Sequence, residues 1–278
     1  MWLSGAGFST ASLFKDESFM KIPVYQIDTF SSKIFGGNPA AVCPLDRWLS
    51  NDMLQNIAEE NNLSETSFIV EENGEFHIRW FTPSVEVDLC GHATLASAYV
   101  IFTVIGHANN KIIFHSKSGD LSVYQDKDWL VMDFPSTPPI VCDAPSEIIE
   151  AFDIEPIEVL KSNDYIVVFE NESQILSLSP NLNFLENIDG RGVIITSKGK
   201  NSDFVSRFFA PKCGVNEDPV CGSAHCSLTP YWAKKLNKNK LVARQLSTRG
   251  GLLRCELTDN RVLISGQAIM YLEGTLHV

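Results

Sequence analysis

The chain has 278 residues, with 22 Lys and Arg against 34 Asp and Glu, a formal net charge of −12, 44% hydrophobic residues and 20% charged ones. That balance belongs to a folded protein rather than a disordered one, and the length suits one large domain or two of medium size. The acidic excess excludes the broad basic face that nucleic acid requires and disfavours an anionic membrane, so neither is an expected partner.

Residues 1–19 lack the basic start of an export signal, because their one lysine stands beside Asp16 and Glu17. They are expected to be a disordered leader or the product of an upstream start codon, the alternative being an extra surface segment. Lys21 to Thr29 predicts a strand, Gly36-Gly37-Asn38-Pro39 a turn, and Ala40 to Cys43 a short apolar segment. Ser50 suits the N-cap of an amphipathic helix that runs to about Asn61, with Met53, Leu54, Ile57 and Ala58 on one face. Ser67–Glu71 and Glu75–Phe81 alternate as strands around Asn73-Gly74, a strong hairpin signal.

Gly91 to Ile105 reads as an Ala-rich buried helix that stops at Gly106. Its apolar part, Leu95 to Ile105, is interrupted by Ser97, Tyr99 and Thr103 and falls short of the ~20 residues of a membrane span. Strands are predicted near 111–116, 121–125 and 130–134, before Pro135, Pro138 and Pro139 break the pattern at a candidate domain join. Beyond the join come a helix over 146–151, strands near 165–169, 192–196 and 203–209, and a helix over 222–236. The chain closes in strands near 249–257, 261–267 and 268–276.

The two halves share a signature. Arg79-Trp80-Phe81-Thr82-Pro83 precedes Cys90-Gly91-His92-Ala93, and Arg207-Phe208-Phe209-Ala210-Pro211 precedes Cys221-Gly222-Ser223-Ala224. The offset is 128 residues for the first block (79 to 207) and 131 for the second (90 to 221). Six ordered matches in the same local context indicate an internal duplication, giving two related domains, each with a central helix.

At the repeated corner a helix begins with glycine. Its first N–H groups are unsatisfied and carry partial positive charge, and glycine lets a ligand approach them. Two such corners facing each other form a cleft suited to a small carboxylate. Thiols there are expected to have lowered pKa values, so Cys90 and Cys221 are a candidate nucleophile or base pair, the alternative being that each is a small buried hydrophobe. His92 and His225, in the first turns, and Asp218, just before the second helix, can orient a substrate or shuttle a proton; for Asp218 the alternative is helix capping. Cys213, Cys221, His225 and Cys226 cluster without a CxxC or HxxxH spacing, so no metal is expected there. No Walker A, GxSxG or GxGxxG pattern is present. Seven cysteines, an odd number without an export signal, indicate reduced thiols in a cytoplasmic protein.

Several motifs together resemble one family. They are Asp28-Thr29-Phe30, Gly37-Asn38-Pro39-Ala40-Ala41-Val42, Asn62-Leu63-Ser64-Glu65-Thr66, Phe81-Thr82-Pro83 with Cys90-Gly91-His92-Ala93-Thr94, and Glu217-Asp218-Pro219-Val220-Cys221-Gly222-Ser223-Ala224-His225. Over roughly residues 21–278 the chain is similar to the PhzF, phenazine biosynthesis-like, family. The resemblance implies an α+β fold of the diaminopimelate epimerase type, with two similar domains, each a curled, barrel-like mixed sheet around a central helix. The expected division is 20–132, joined by the last strand at about 268–278, and 133–267.

The family likeness also implies a cofactor-free isomerase, commonly homodimeric, acting on a dihydro-3-hydroxyanthranilate-like carboxylate in a biosynthetic process. By that likeness Glu65 is the acid/base, with His92, Asp218 and Ser223 in support. Asn38 joins the substrate-binding residues, and the backbone N–H groups near Gly91, Gly222 and Ser223 hold the carboxylate. From the residues alone, Glu65 sits in a helix-to-strand loop where a capping or solvent-facing role is the alternative. A carboxyl group between two apolar domains is expected to have a raised pKa. Position 221 departs from the characterised isomerase, which has a small non-thiol residue there, whereas the two-thiol racemases of the same fold carry cysteines at both places. Cys90 and Cys221 therefore remain the alternative catalytic pair for epimerising an amino or hydroxy acid, while His92, standing where those enzymes have Asn, favours the PhzF side. A non-catalytic metabolite-binding protein on the same fold is the third reading.

Overall fold

Alternating apolar residues make Lys21–Thr29 the first strand, β1, with Ile22, Val24 and Ile27 turned inward. A computed structural model describes residues 20–278, so the expected leader over 1–19 lies outside the described residues. β1 runs antiparallel to β2 (Asn38–Leu45). Helix α1 (Asn51–Asn61) follows; the Ser50 hydroxyl accepts from the Met53 N–H, and the helix stops at Asn62 in the left-handed conformation. Its Leu54, Ile57 and Ala58 pack on Cys43, Phe68 and Phe81 outside the sheet.

The crossover through α1 brings β3 (Glu65–Glu72) parallel to β2, and Asn73 and Gly74, both at positive φ, turn it into β4 (Glu75–Phe81). Short β5 (Glu86–Val87) pairs with β4, and α2 (Gly91–Val100) enters the concave side. β6 (Lys111–Ser116) lies parallel to β4, and β7 (Gly119–Asp126) and β8 (Trp129–Pro135) complete this half.

The second half repeats the pattern. After β9 (Ile140–Val141), α3 (Ser146–Ala151) and β10 (Glu158–Lys161), β11 (Tyr165–Val168) and β12 (Val193–Lys198) pair in parallel. They are joined through α4 (Glu172–Ser177) and α5 (Leu182–Leu185). β13 (Phe204–Ala210) pairs antiparallel to β12 and to β14 (Val215–Asp218), and parallel to β15 (Lys240–Gln245), which follows α6 (Gly222–Leu236). β16 (Gly251–Thr258) and β17 (Arg261–Gly266) close the meander. The halves share one seam, β8 against β17, with Leu130 opposite Gly266 and Pro135 opposite Arg261. The strands after the seam cross over: β9 pairs with β10, and β18 (Ala268–His277) pairs with β1. The fold is α+β, with a mixed sheet that curls around α2 and α6 without closing as a barrel.

Both central helices are apolar almost all round, as surrounded helices must be. In α2 every residue from His92 to Ala98 is buried, and full burial of a side chain such as Leu95 contributes ~1.5–3 kcal/mol. The expected continuation of this helix to 105 is altered: residues Ile101–Ile105 form a π turn that ends at Gly106, φ 82°. Inside α6, Pro230 has no N–H to give the Cys226 carbonyl, and the Thr137 N–H supplies that bond at 3.1 Å from outside the helix. Among the described residues no helix is long and apolar enough to cross a membrane.

The duplication extends to an ion pair. Arg79 clamps Glu86 and lies over Phe81; Arg207 clamps Glu217 and lies over Phe209. Each pair ties β4 or β13 to the segment that leads into the central helix. The Arg79 and Lys117 contacts hold Glu86 down to about 2.

The β1–β2 turn has its own constraint. Gly37 has φ +65°, and a Cβ there would lie 1.8 Å from the Thr29 carbonyl oxygen. Gly37→Ala is expected to destabilise the fold by about 2–4 kcal/mol, read as a lowered urea midpoint at unchanged slope. An unshifted midpoint would show that the turn relaxes freely.

Candidate active site

Gly91 and Gly222 open the two central helices, and the helices begin against each other: a Cβ built on either glycine would sit 3.9 Å from the Cα of the other. The N-caps are Cys90 and Cys221; neither makes a side-chain capping bond, and neither helix has an acid in its first turn. The N–H groups at both starts thus lack the usual intramolecular anionic partner. The matched positions are treated alike. Cys90 Sγ lies 3.5 Å from His92 Nδ1, and Cys221 Sγ lies 3.3 Å from Ser223 Oγ. Thr94 Oγ1 donates to the Cys90 carbonyl, while His225 Nδ1 does the same to the Cys221 carbonyl at 2.8 Å.

That last contact corrects the reading of His225 as a site residue. Its Nδ1 is spent on the helix backbone, the ring is buried, and burial pulls its pKa down to about 4. It is a buried neutral ring that bonds back to the helix backbone, matched to Thr94.

Asn38 joins the halves at the site. Its amide donates to Asp218 Oδ1 at 2.8 Å and to the Val220 carbonyl at 3.1 Å, which fixes its orientation, since the flipped amide would set oxygen against two oxygens. Asp218 in turn accepts from the Val220 N–H. Gln245 holds the same loop, accepting from the Cys221 N–H and donating to the Asp218 carbonyl. Arg249 seats the opposite wall by donating to the Gly36 and Gly37 carbonyls and to the buried Asp28 carboxylate.

Glu65, the first residue of β3, reaches His92 from the parallel β2–β3 edge. His92 Nε2 lies 3.1 Å from Glu65 Oε2, close enough for an ion pair but not aligned as a hydrogen bond, so both atoms retain bonding capacity. Eight buried side-chain polar atoms lack a hydrogen-bond partner among the described residues, and three of them belong to Asn38, Glu65 and His92. The three residues sit together, with Glu65 Oε2 and His92 Nε2 facing each other and the Asn38 amide nitrogen 3.3 Å from His92 Nδ1. Glu65, Cys90 and His92 also offer one ligand atom each within 4.8 Å of one another, but the raised thiol of Cys90 is not the thiolate that a zinc site takes.

Electrostatics separate the groups. Burial would raise the Glu65 pKa, but the His92 imidazolium beside it, with Cys90 also close, reverses this, and the carboxyl lies below its ordinary range. The expectation of a raised value is therefore corrected: the neighbouring charge outweighs desolvation. Burial alone would depress His92; Cys90 and Glu65 together lift it well above 6.5. Burial and the negative charge of Glu65 raise Asp218 despite His92. Burial is also the main cause that raises both candidate thiols, Cys90 and Cys221, contrary to the lowering expected at a helix start. Glu65 beside Cys90 and Asp218 beside Cys221 push the same way.

The model of the phenazine biosynthesis-like protein family matches residues 27–274. The chain belongs to the PhzC/PhzF family. An uncharacterized isomerase of Pseudomonas aeruginosa is 51% identical over 259 residues, covering 93% of this chain and all of that protein. The crystal structure of a PhzF family protein from Enterococcus faecalis superposes with a TM-score of 0.92 at 44% identity, covering 93% of this chain and all of that one. A predicted epimerase of P. aeruginosa, 19% identical over 92% of this chain and 99% of that one, shares the fold at a TM-score of 0.72.

In this PhzC/PhzF family chain the structure brings together Asn38, Glu65, Cys90, Gly91, His92, Asp218, Cys221, Gly222 and Ser223. Of the zinc-like cluster weighed in the sequence, Cys213 lies exposed on the Arg191 backbone and His225 faces the helix, so these four residues do not converge on one point. Sequence reasoning missed Gln245 and also Arg191, which donates to Ser223 Oγ at 3.0 Å and to both oxygens of buried Asp164. No spacing pattern links position 191 to 223.

The Glu65–His92 pair has a definite pH signature. His92, raised, adds stability that is complete below its unfolded value near 6.5 and is lost as pH rises through its folded value; Glu65, lowered, adds stability present above 4.5 and lost as pH falls through its folded value. NMR titration of the His92 ring is expected to give a midpoint above 6.5 that drops in Glu65→Gln. A midpoint at or below 6.5 in the unmodified protein would remove the ion pair.

Proposed function

We propose that this protein is an isomerase that moves a proton along a small unsaturated carboxylate, with Glu65 as its acid/base. The observation that carries the reading is an asymmetry in the duplicated frame. The matched arginines set Phe81 of β4 against Phe209 of β13, and their ladder partners are Thr66 and Val193. Glu65 therefore corresponds to Gly192, where a Cβ would already lie 2.5 Å from the Phe209 carbonyl oxygen and 2.8 Å from the Phe208 ring. The cleft is built with two thiols but with one carboxylate in this position. Racemisation by two bases asks for groups on both faces of a carbon; a single acid/base suits removal and return of a proton on one face.

In the proposed step Glu65 begins ionised, as its lowered pKa favours. It takes a proton from an acidic C–H bond, and the electron pair delocalises toward the carboxylate, whose growing charge meets the N–H groups at Gly91, Gly222 and Ser223. The neutral Glu65 then returns the proton to a different carbon of the conjugated system. His92, kept cationic, stabilises the ionised form of Glu65 at start and finish. Asp218, held by Asn38 and the Val220 N–H, orients the substrate's polar substituent. Donor and acceptor are the same group, so the proposed chemistry calls for no cofactor. The raised thiols argue against Cys90 and Cys221 as ready bases, since thiolate is the reactive form.

With a dihydro-3-hydroxyanthranilate as substrate in D2O, isomerisation or deuterium exchange followed by NMR is expected to fall roughly 100-fold or more in Glu65→Gln. Cys90→Ala and Cys221→Ala are expected to stay within about tenfold of the unmodified protein, because removing a group that is not the acid/base spares that factor. Activity retained by Glu65→Gln and lost in both thiol variants would establish the two-thiol reading instead. Iodoacetamide at neutral pH is expected to label exposed Cys213 ahead of the two buried thiols.

A further inference from the structure

We propose that Arg191 forms a second anion subsite, so that acids with another acidic group besides the carboxylate gripped at the helix starts are bound preferentially. This rests on the carboxylate reading above.

The duplicated frame locates the subsite. His92 and Ser223 occupy matched positions, each next to its N-cap cysteine's sulfur. On one side the charged group beside the matched residue is Glu65, 3.1 Å from His92. On the other it is Arg191, 3.0 Å from Ser223 Oγ, one residue before the glycine that corresponds to Glu65. The cleft thus opposes an anionic group with a cationic one at nearly equivalent places.

Arg191 is built to receive an anion rather than merely to close an ion pair. Asp164, only 3% exposed, accepts from Nε and Nη2 along one edge of the guanidinium. The guanidinium carbon lies over the Phe208 ring, 5.2 Å from its centroid. Nη1 makes no hydrogen bond among the described residues, and the side chain is 44% exposed. A planar fork held along one edge and packed over a ring loses little freedom when its remaining donors meet a carboxylate or phosphate. Cys221 lies within the field of both Arg191 and Asp164, which places the pair at the start of α6.

Arg191 also sets the direction of the Ser223 hydroxyl. Because Ser223 Oγ accepts from Arg191, its own proton points elsewhere, toward Cys221 Sγ at 3.3 Å or a ligand at the helix start. The subsite therefore has a charged donor and a hydroxyl donor side by side.

Calorimetric titration with benzoate, phthalate and isophthalate tests this on the unmodified protein, Arg191→Gln and Arg191→Lys, with melting temperatures as the folding control. At least one dicarboxylate is expected to bind the unmodified protein about tenfold more tightly than benzoate, the value of one charge-assisted bond pair. That preference, read as the ratio of dicarboxylate to benzoate affinity, should vanish in Arg191→Gln and persist in part in Arg191→Lys. If Arg191→Gln does not fold, a preference undiminished in Arg191→Lys overturns the subsite, because a point charge cannot replace the fork in full. No dicarboxylate preference in the unmodified protein, or an equal preference in Arg191→Gln, also overturns it while leaving the carboxylate reading standing. Failure of all three acids to bind overturns both.

Discussion

Two helices that begin face to face are the constraint on which this fold turns. Each start carries roughly half a positive charge in its unpaired N–H groups, so bringing α2 and α6 together at Gly91 and Gly222 sets like charge against like. An ordinary protein would relieve this with an acidic side chain in the first turn or a hydroxyl at the N-cap. Here both N-caps are cysteines without a capping bond. The repulsion is carried by tertiary structure, through the β8–β17 seam and the Asn38 bridge to Asp218 and Val220. An anion between the helix starts would relieve it directly.

Duplication explains how such an arrangement arises and why it became asymmetric. The common frame repeats strand for strand, down to the Arg79–Glu86 and Arg207–Glu217 clamps. What differs lies around the cleft: His92 against Ser223, Glu65 against Gly192, and Arg191 with no cationic counterpart at Leu63 or Ser64. Symmetry sets where groups can stand, and chemistry follows from which of the two copies carries each one. A reading of matched residues alone finds Cys90 and Cys221, the pair the symmetry preserves, and overlooks the groups it does not.

The sequence showed the frame well because its signals are local. Ser50 caps α1 as its position predicts, Asn73-Gly74 makes the hairpin, and Gly106 ends the central helical segment. The repeated corner was legible because six matches lie within short spans. The bridges were not. Asn38 meets Asp218 across 180 residues, and Arg191 meets Ser223 across 32, with no periodicity to announce either. Short α4, α5 and β10 escaped notice because segments of four to six residues carry too little pattern. The pKa directions were misjudged for a related reason. Burial can be guessed from composition, but the charge that overrides it at Glu65 is His92, and that pairing is visible only in three dimensions.

The position of that charge bears on how an acidic protein would attract the proposed anion. A net charge of −12 repels small acids at a distance, but at physiological ionic strength this field fades over ~8 Å. Inside the cleft the local sources are the two helix starts, the His92 imidazolium and the Arg191 guanidinium. Two of these are partly neutralised by design, His92 by Glu65 and Arg191 by Asp164. The helix starts have no acid in their first turns, so N–H groups at the glycines remain as a further positive source. On the proposed reading, a carboxylate held there presents its carbon skeleton, rather than the carboxylate itself, to Glu65, which is where a group that moves protons between carbons has to stand.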